Sequence, residues 1–361
     1  MFRESSWRGF VTGHDLSRAA IPRKWHWALA PEVSLLFLNV SKMIHQILSN
    51  PMRFVRSLLI AALLCLCVPA FADAPAFSID PSWTRPFPPF RIAGNLYYVG
   101  SEELAAFLIA TPQGNILINS NLITSPAQIK HSVEALGFHF SDIKILLISH
   151  AHPDHSAGSA AILQQTHAKY FVMDADVRAI ESGGRTDFRF AGDKSMWYPP
   201  AHVDRILHDG EKITLGGTTL VAHLTAGHTP GTVTYTFDET EAGSGPGKPL
   251  HVVIVGSPSI LESYKLIGNP TYPHIADDFR HQFAVLKSLP CDIFLGAHAS
   301  YFDLTEKYAR LKRGDKNAFI DPAGYTRFVA DREQAFETAY RKQYAARKTP
   351  MKTQPGAHPG L

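Results

Sequence analysis

From residue 90 onward the apolar positions of the chain come in short bursts. NLYYVG (95–100), AAFLIAT (105–111) and GNILINS (114–120) are aliphatic and aromatic runs broken by Gly, Pro and charge, which predicts a meander of strands. A helical period covers Pro126 to Leu136. IKILLIS (143–149) then reads as a buried strand ending at Ser149, and SAGSAAILQQT (156–166) as the helix that follows it. KITLGG (212–217), TTLVAHLTA (218–226), GTVTYTF (231–237) and LHVVIVG (250–256) predict a second group of strands. Helices are expected over Ile275–Leu289 and Leu304–Arg313, with the strand CDIFLGA (291–297) between them and a last helix near Asp331–Ala346. Strands, helices, more strands and more helices make an α/β chain of two sheets packed face to face with helices outside.

Composition narrows the partners. Thirty-five basic and 32 acidic residues nearly balance, and Lys and Arg are scattered rather than massed in a stripe, so no nucleic-acid footprint is expected. The 18 histidines are the unusual count.

Residues 52–72, MRFVRSLLIAALLCLCVPAFA, carry two arginines, a twelve-residue apolar run from Ser57 to Val68 and then Ala70-Phe71-Ala72, the pattern of a secretory signal cut after Ala72. The run is too short for a transmembrane anchor, and the residues before Cys65 and Cys67 are leucines, unlike a lipoprotein signal. Residues 1–51 show no sustained period and are read as an upstream extension or a misassigned start. The expected domain spans 73–346, with a disordered Pro-, Gly- and Lys-rich tail at 347–361. A periplasmic location follows, without a stable membrane anchor, and a monomer is expected. Only Cys291 would remain after cleavage, so no internal disulfide is expected and stability must come from burial.

The predicted strand over 143–149 runs into ISHAHPDHSAG (148–158), which places His150, His152, Asp154 and His155 within six positions of a strand-to-helix loop. In extended chain, side chains two apart point the same way, so His150 and His152 can reach one metal while Asp154 and His155 face a neighbouring point. Four nitrogen and oxygen donors so close together suit zinc. Further donors should also follow apolar strands. His228, in LTAGHTPG, and His298, in FLGAHASYFD, both meet that condition. His223 lies inside a predicted strand. His139, His167, His202, His208, His251, His274 and His281 lack the flanking glycines and strand-end placement, and are read as packing or surface residues.

SHAHPDH (149–155), AGHTPG (226–231) and LGAH (295–298), in that order, resemble the metallo-β-lactamase superfamily from about Phe90 to Ala346. The resemblance implies an αβ/βα four-layer sandwich with metals between the sheet edges. Glyoxalase II and the lactonases of that superfamily place a metal-bridging aspartate after the strand HVVIVG, and lactamases of subclasses B1 and B2 carry a cysteine at the second metal; this chain has Ser257. Subclass B3 is similar in having neither, and GSPSILESYKLIGNPTYPHIADDF (256–279) resembles its substrate loop. The ligand sets implied are His150, His152 and His228 for a first zinc, and Asp154, His155 and His298 for a second.

The reaction implied is hydrolysis of the β-lactam amide of penicillins, cephalosporins and carbapenems by a metal-bound hydroxide. Asp154 is then catalytic as well as a ligand. Ser257 and Ser259 would contact substrate and Tyr264 would donate to the developing oxyanion, unless they are loop-forming serines and a packing tyrosine. SGGRTDFRFAGD (182–193) is either a mobile flap or an ordinary surface loop. Relatives commonly have an aspartate where Asn119 stands, accepting a hydrogen bond from a ligand histidine, so the amide is expected to take that bond more weakly. Several relatives also pair a cysteine at the Cys291 position with one near Tyr325, a bridge absent here. The S-x-x-K pattern of serine lactamases fails, since Ser182 is followed by Arg185 at the last place.

Two other functions compete. Hydrolysis of another lactone, thioester or phosphoester is disfavoured by Ser257. An inert exported zinc-binding protein is disfavoured by a six-ligand set, because structural zinc takes four ligands and leaves no open position.

Overall fold

The computed structural model describes residues 79–239 and 249–348. The upstream extension, the signal segment and all of the tail beyond Lys348 lie outside the described residues.

Seven strands form the first sheet in sequence order: β1 (Phe90–Ala93), β2 (Leu96–Tyr98), β3 (Phe107–Thr111), β4 (Gly114–Ile118), β5 (Ile143–Leu147), β6 (Lys169–Met173) and β7 (Arg205–Leu207). The first four are antiparallel, with tight turns between β1 and β2 and between β3 and β4 and a longer loop, 99–106, between β2 and β3, and β4 to β7 are parallel. Parallel neighbours require crossovers. These are α1 (Pro126–Ala135), the single turn α2 (Pro153–Ser156) with α3 (Ser159–Thr166), and α4 (Asp174–Ser182).

The second sheet holds β8 (Glu211–Leu215), β9 (Thr218–Leu224), β10 (Val233–Glu239), β11 (Leu250–Val255) and β12 (Ile293–Gly296), in the order β12-β11-β10-β9-β8. Only β11 and β12 are parallel, with α5 (Ile275–Ser288) as their crossover. The helices α6 (Leu304–Lys312) and α7 (Pro322–Lys348) follow.

Alternation along each strand explains the layers. On β4, Ile116 and Ile118 enter the core between the sheets, while Leu117 packs on the other face with Ile129 and Val133 of α1 and Ile162 of α3. On β3, Phe107 and Ile109 face inward and Leu108 outward. Both faces are dry, so these strands read as continuous apolar runs rather than as clean alternation. Phe279 and Phe283 of α5 and Phe336 of α7 cover the outside of the second sheet, with the Phe279 and Phe336 rings stacked at 5.4 Å. Helices, sheet, sheet, helices: this is the αβ/βα sandwich that the resemblance implied.

The strands β1, β6 and β7 were not among those read from the sequence, and two helices also depart from that reading. The last helix starts at Pro322, nine residues before Asp331. Pro at the first helical position suits the start, and Asp321 accepts a hydrogen bond from Gly324 N at 2.8 Å, so the chain turns into helix despite its glycine. The same helix runs to Lys348, two residues past the expected domain end at 346. α4 was not foreseen; its sequence DADVRAIES shows a short apolar period, and its N-terminal acidic residues Asp174 and Asp176 suit the helix dipole.

Candidate metal centre

The centre lies where strands of both sheets end on one side. Val233 N donates to Ser149 O at 2.9 Å and the Tyr235 hydroxyl to Ile148 O at 2.9 Å, sewing the second sheet to the end of β5. Asn119, just past β4, sits in the left-handed region at φ 69°, which asparagine tolerates better than most residues. Its Oδ1 accepts from Ser149 N at 2.8 Å and its Nδ2 donates to Ala105 O at 3.1 Å. The sequence reading gave Asn119 a bond from a ligand histidine. Both ends of the amide are instead spent on backbone, and His150 Nδ1 lies 3.1 Å from Ser149 Oγ.

Pro153 opens the helical turn α2 with His152 as its cap residue, and Asp154 and His155 project from that turn. One donor atom from each of His150, His152 and His228 lies within 4.8 Å of the others, and the same holds for His150, Asp154 and His155. His152 Nδ1 is 3.0 Å from His228 Nε2. His298 joins the second group, its Nε2 3.2 Å from His155 Nε2 and 3.5 Å from Asp154 Oδ2. The structure therefore gathers all six side chains singled out as ligands. His223, by contrast, is bonded to Thr236 at 2.8 Å within the second sheet, and His251 to Asp238 at 2.7 Å.

Electrostatics divide the rings: against the pull of burial, Asp187 raises His152, and Tyr301, Asp154 and Glu103 hold His298 well above the usual imidazole value, whereas burial lowers His150, His155 and His228. Burial pushes His150 well below the usual imidazole value, and His155, His228 and His152 push it further; burial and then His152 drive His228 down to about 3. Burial acts to raise Asp154, but His155, at 3.1 Å, and His298 outweigh it and hold the carboxyl well below its ordinary range. His150 Nε2, His152 Nε2 and His155 Nδ1 are buried with no hydrogen-bond partner among the described residues. A dry cluster of imidazole lone pairs with one ionised carboxylate is costly unless a cation satisfies it, and nitrogen with carboxylate oxygen is a donor set that transition metals accept. The residues present fit a metal.

Over this floor opens a cavity of about 440 Å³ with apolar walls that include Trp83, Phe190, Met196 and Leu261. Ser257 and Ser259 both line it, and the Tyr301 hydroxyl sits 3.2 Å from Ser257 Oγ and 2.9 Å from Ser259 Oγ. Tyr264 does not line it. Its hydroxyl donates to His228 O at 2.6 Å and the ring is 2% exposed, so the oxyanion role expected of Tyr264 is corrected to a brace behind a candidate ligand. Tyr264→Phe should leave kcat within about threefold of the parent while lowering stability by about 1 kcal/mol, the worth of one buried hydrogen bond. Loss of an oxyanion donor would instead cost roughly 10²–10³ in kcat, so steady-state kinetics decide the matter.

Residues 182–193 form a wall of this cavity, anchored by Phe188 packing on Tyr264 and Tyr272 and by Thr271 Oγ1 donating to Phe188 O at 2.8 Å. Three carboxylates behind the centre escaped the sequence reading. Asp176 accepts from Ala151 N at 2.8 Å, Thr229 Oγ1 at 2.7 Å and Gly231 N at 2.8 Å, joining the His150–His155 loop to the His228 turn. Glu103 lies 3.4 Å from His298 Nδ1, and Asp187 3.6 Å from His152 Nε2. Nothing in the local sequence marks any of the three; only the topology supplies their partners. Cys291 is free, and burial pushes its thiol up to about 12.

The family model of the metallo-beta-lactamase superfamily matches residues 105–241. Among solved structures, the chain is similar to the native FEZ-1 metallo-β-lactamase from Legionella gormanii, at 53% identity over 72% of this chain and 98% of that one, with a TM-score of 0.70. It is similar to BJP-1, a subclass B3 metallo-β-lactamase of Bradyrhizobium japonicum, at 33% identity over 74% and 99% of the two chains, TM-score 0.69. The GOB-18 metallo-β-lactamase from Elizabethkingia meningoseptica matches at 36% identity over 73% of this chain and 96% of its own, TM-score 0.69. Identity of 53% along nearly the full length of a relative goes well beyond shared architecture, and the chain belongs to the metallo-β-lactamase superfamily.

Proposed function

We propose that this protein hydrolyses the β-lactam amide of penicillins, cephalosporins and carbapenems, using two zinc ions, as a periplasmic monomer of the subclass B3 type. The observation that carries the reading is the meeting of two donor groups, His150/His152/His228 and Asp154/His155/His298, on the floor of one open cavity. The likeness to FEZ-1, GOB-18 and the subclass B3 enzyme BJP-1 supports it. Export rests on the signal-like segment 52–72. The monomer is supported by the scatter of the exposed large apolar residues Ile79, Ile123, Ile206 and Tyr344.

When bound, zinc supplies Lewis acidity toward the amide carbonyl and makes water a stronger acid. The chain's own residues do the rest. The first group would hold one ion and the second group the other. Asp154, kept ionised by His155 and His298, sets a fixed negative charge beside the reacting amide. Ser257 and Ser259, oriented by Tyr301, offer hydroxyl donors to the substrate carboxylate. Trp83 and Phe190 flank the bicyclic ring system and exclude bulk water from the floor.

The test is zinc analysis of the purified protein with meropenem absorbance followed before and after chelation. Two zincs per chain and a loss of absorbance that stops on chelation and returns with added zinc are expected. Two zincs with turnover only of lactone or thioester substrates would replace this reading with another hydrolase, and one zinc in an inert protein would end it.

A further inference from the structure

We propose that Asp187 is a positioning residue for the candidate metal centre: its carboxylate, 3.6 Å from His152 Nε2, draws the ring proton to that nitrogen, which leaves His152 Nδ1 bare to face the same cation as His228 Nε2.

The tautomers of two rings decide which nitrogens can face a cation. His228 Nδ1 lies 2.7 Å from Ser259 O, and a carbonyl can only accept, so that nitrogen carries the proton and Nε2 is a lone pair. His152 Nδ1 lies 3.0 Å from that lone pair. Left to itself, the His152 ring would place its proton on Nδ1 and donate it to His228, closing the pair as a neutral hydrogen bond with nothing left for a metal. Asp187 opposes this. Its Oδ2 stands 3.6 Å from His152 Nε2, and both side chains are 5% exposed, so a bare Nε2 would set a lone pair against a buried carboxylate. With the proton on Nε2 the contact becomes attractive, and the two remaining lone pairs converge.

The other oxygen of Asp187 has a separate task. Oδ1 accepts from Arg189 N at 2.7 Å and Phe190 N at 2.6 Å, which turns the chain so that Phe190 reaches the cavity, with its ring 5.4 Å from that of His152. One carboxylate thus ties the 182–193 wall to a candidate ligand. An amide cannot hold both faces: with its oxygen on the turn, its NH₂ meets the Nε2–H of His152, and after a flip it meets the two backbone donors.

The inference rests on His150, His152 and His228 as the holders of one zinc, which the zinc content of the parent tests by itself. Asp187→Asn, which keeps an oxygen for the turn, should weaken that zinc by roughly 10–100-fold in competition with a chromophoric chelator. The ¹⁵N spectrum of histidine-labelled, zinc-loaded parent should show His152 protonated at Nε2 and unprotonated at Nδ1, with that signature lost in D187N. Asp187→Ala should add a rise in KM from the released Phe190. D187N with parental zinc affinity beside an impaired D187A would make Asp187 a turn former only, and a parental His152 protonated at Nδ1 would overturn the proposal directly. A parent without zinc would remove the metal centre and this inference together, whereas two zincs in parent and D187N at equal affinity would sink the inference alone.

Discussion

Asp154→Ala is expected to reduce bound zinc from two per chain to one and to lower kcat by roughly 10²–10⁴, with KM changed far less. Its Oδ2 lies 3.1 Å from His155 Nε2 and 3.5 Å from His298 Nε2, so it is the anion around which the second group is built. Removing it leaves the buried His155 and the half-buried His298 facing each other at 3.2 Å with no negative charge between them. They would then share a hydrogen bond rather than both turn lone pairs to a cation. A fall of 10²–10⁴ corresponds to about 3–5 kcal/mol of transition-state stabilisation, which is within what a second cation supplies to a reacting amide. Metal analysis and steady-state kinetics on one preparation read both effects. A variant that kept two zincs and parental turnover would show that Asp154 neither holds a metal nor serves the reaction.

The second large effect is expected at Gly231. A Cβ there would come to 2.6 Å from the Cβ, Cγ and backbone N of Asp176, a distance real Cβ atoms do not tolerate, and two of those atoms are set by the backbone of α4. Gly231 N also donates one of the three bonds that saturate the Asp176 carboxylate. Gly231→Ala must therefore push α4 from the His228 turn and strand a buried acceptor. Overpacking and the lost bond together should cost about 2–4 kcal/mol. At that cost the melting temperature should fall by roughly 5–15 °C, with activity falling as well because Asp176 also holds Ala151 between two candidate ligands. Thermal unfolding within about 1 °C of the parent would show that the two loops part without penalty.

Much of the layering was legible because periodicity reports burial directly. Strands such as IKILLIS are dry on both faces and carry no polar alternation, and the helices α1, α5 and α6 announced themselves by period. The start of α7 was not legible, because Gly324 counts against a helix locally while the Asp321 bond that initiates it depends on the turn geometry. At the centre, local density marked His150, His152, Asp154 and His155, and strand-end placement marked His228 and His298. Tyr264 and Asn119 were misread for a shared reason. Both carry a polar group whose partner is a backbone atom far away in sequence, His228 O and Ser149 N, and one-dimensional spacing says nothing of such partners. Asp176 and Asp187 were passed over for that reason too, each being an unremarked carboxylate until the fold brings a loop to it.

The donors come from both halves of the sandwich: those at 150–155 follow β5, while His228 and His298 follow strands of the other sheet. Each ion would be a rivet through the seam rather than an ornament on one leaf. Stability then scales with the logarithm of free zinc above its dissociation constant. Metal scarcity would disarm the molecule and loosen it in the same stroke, exposing it to clearance by proteases.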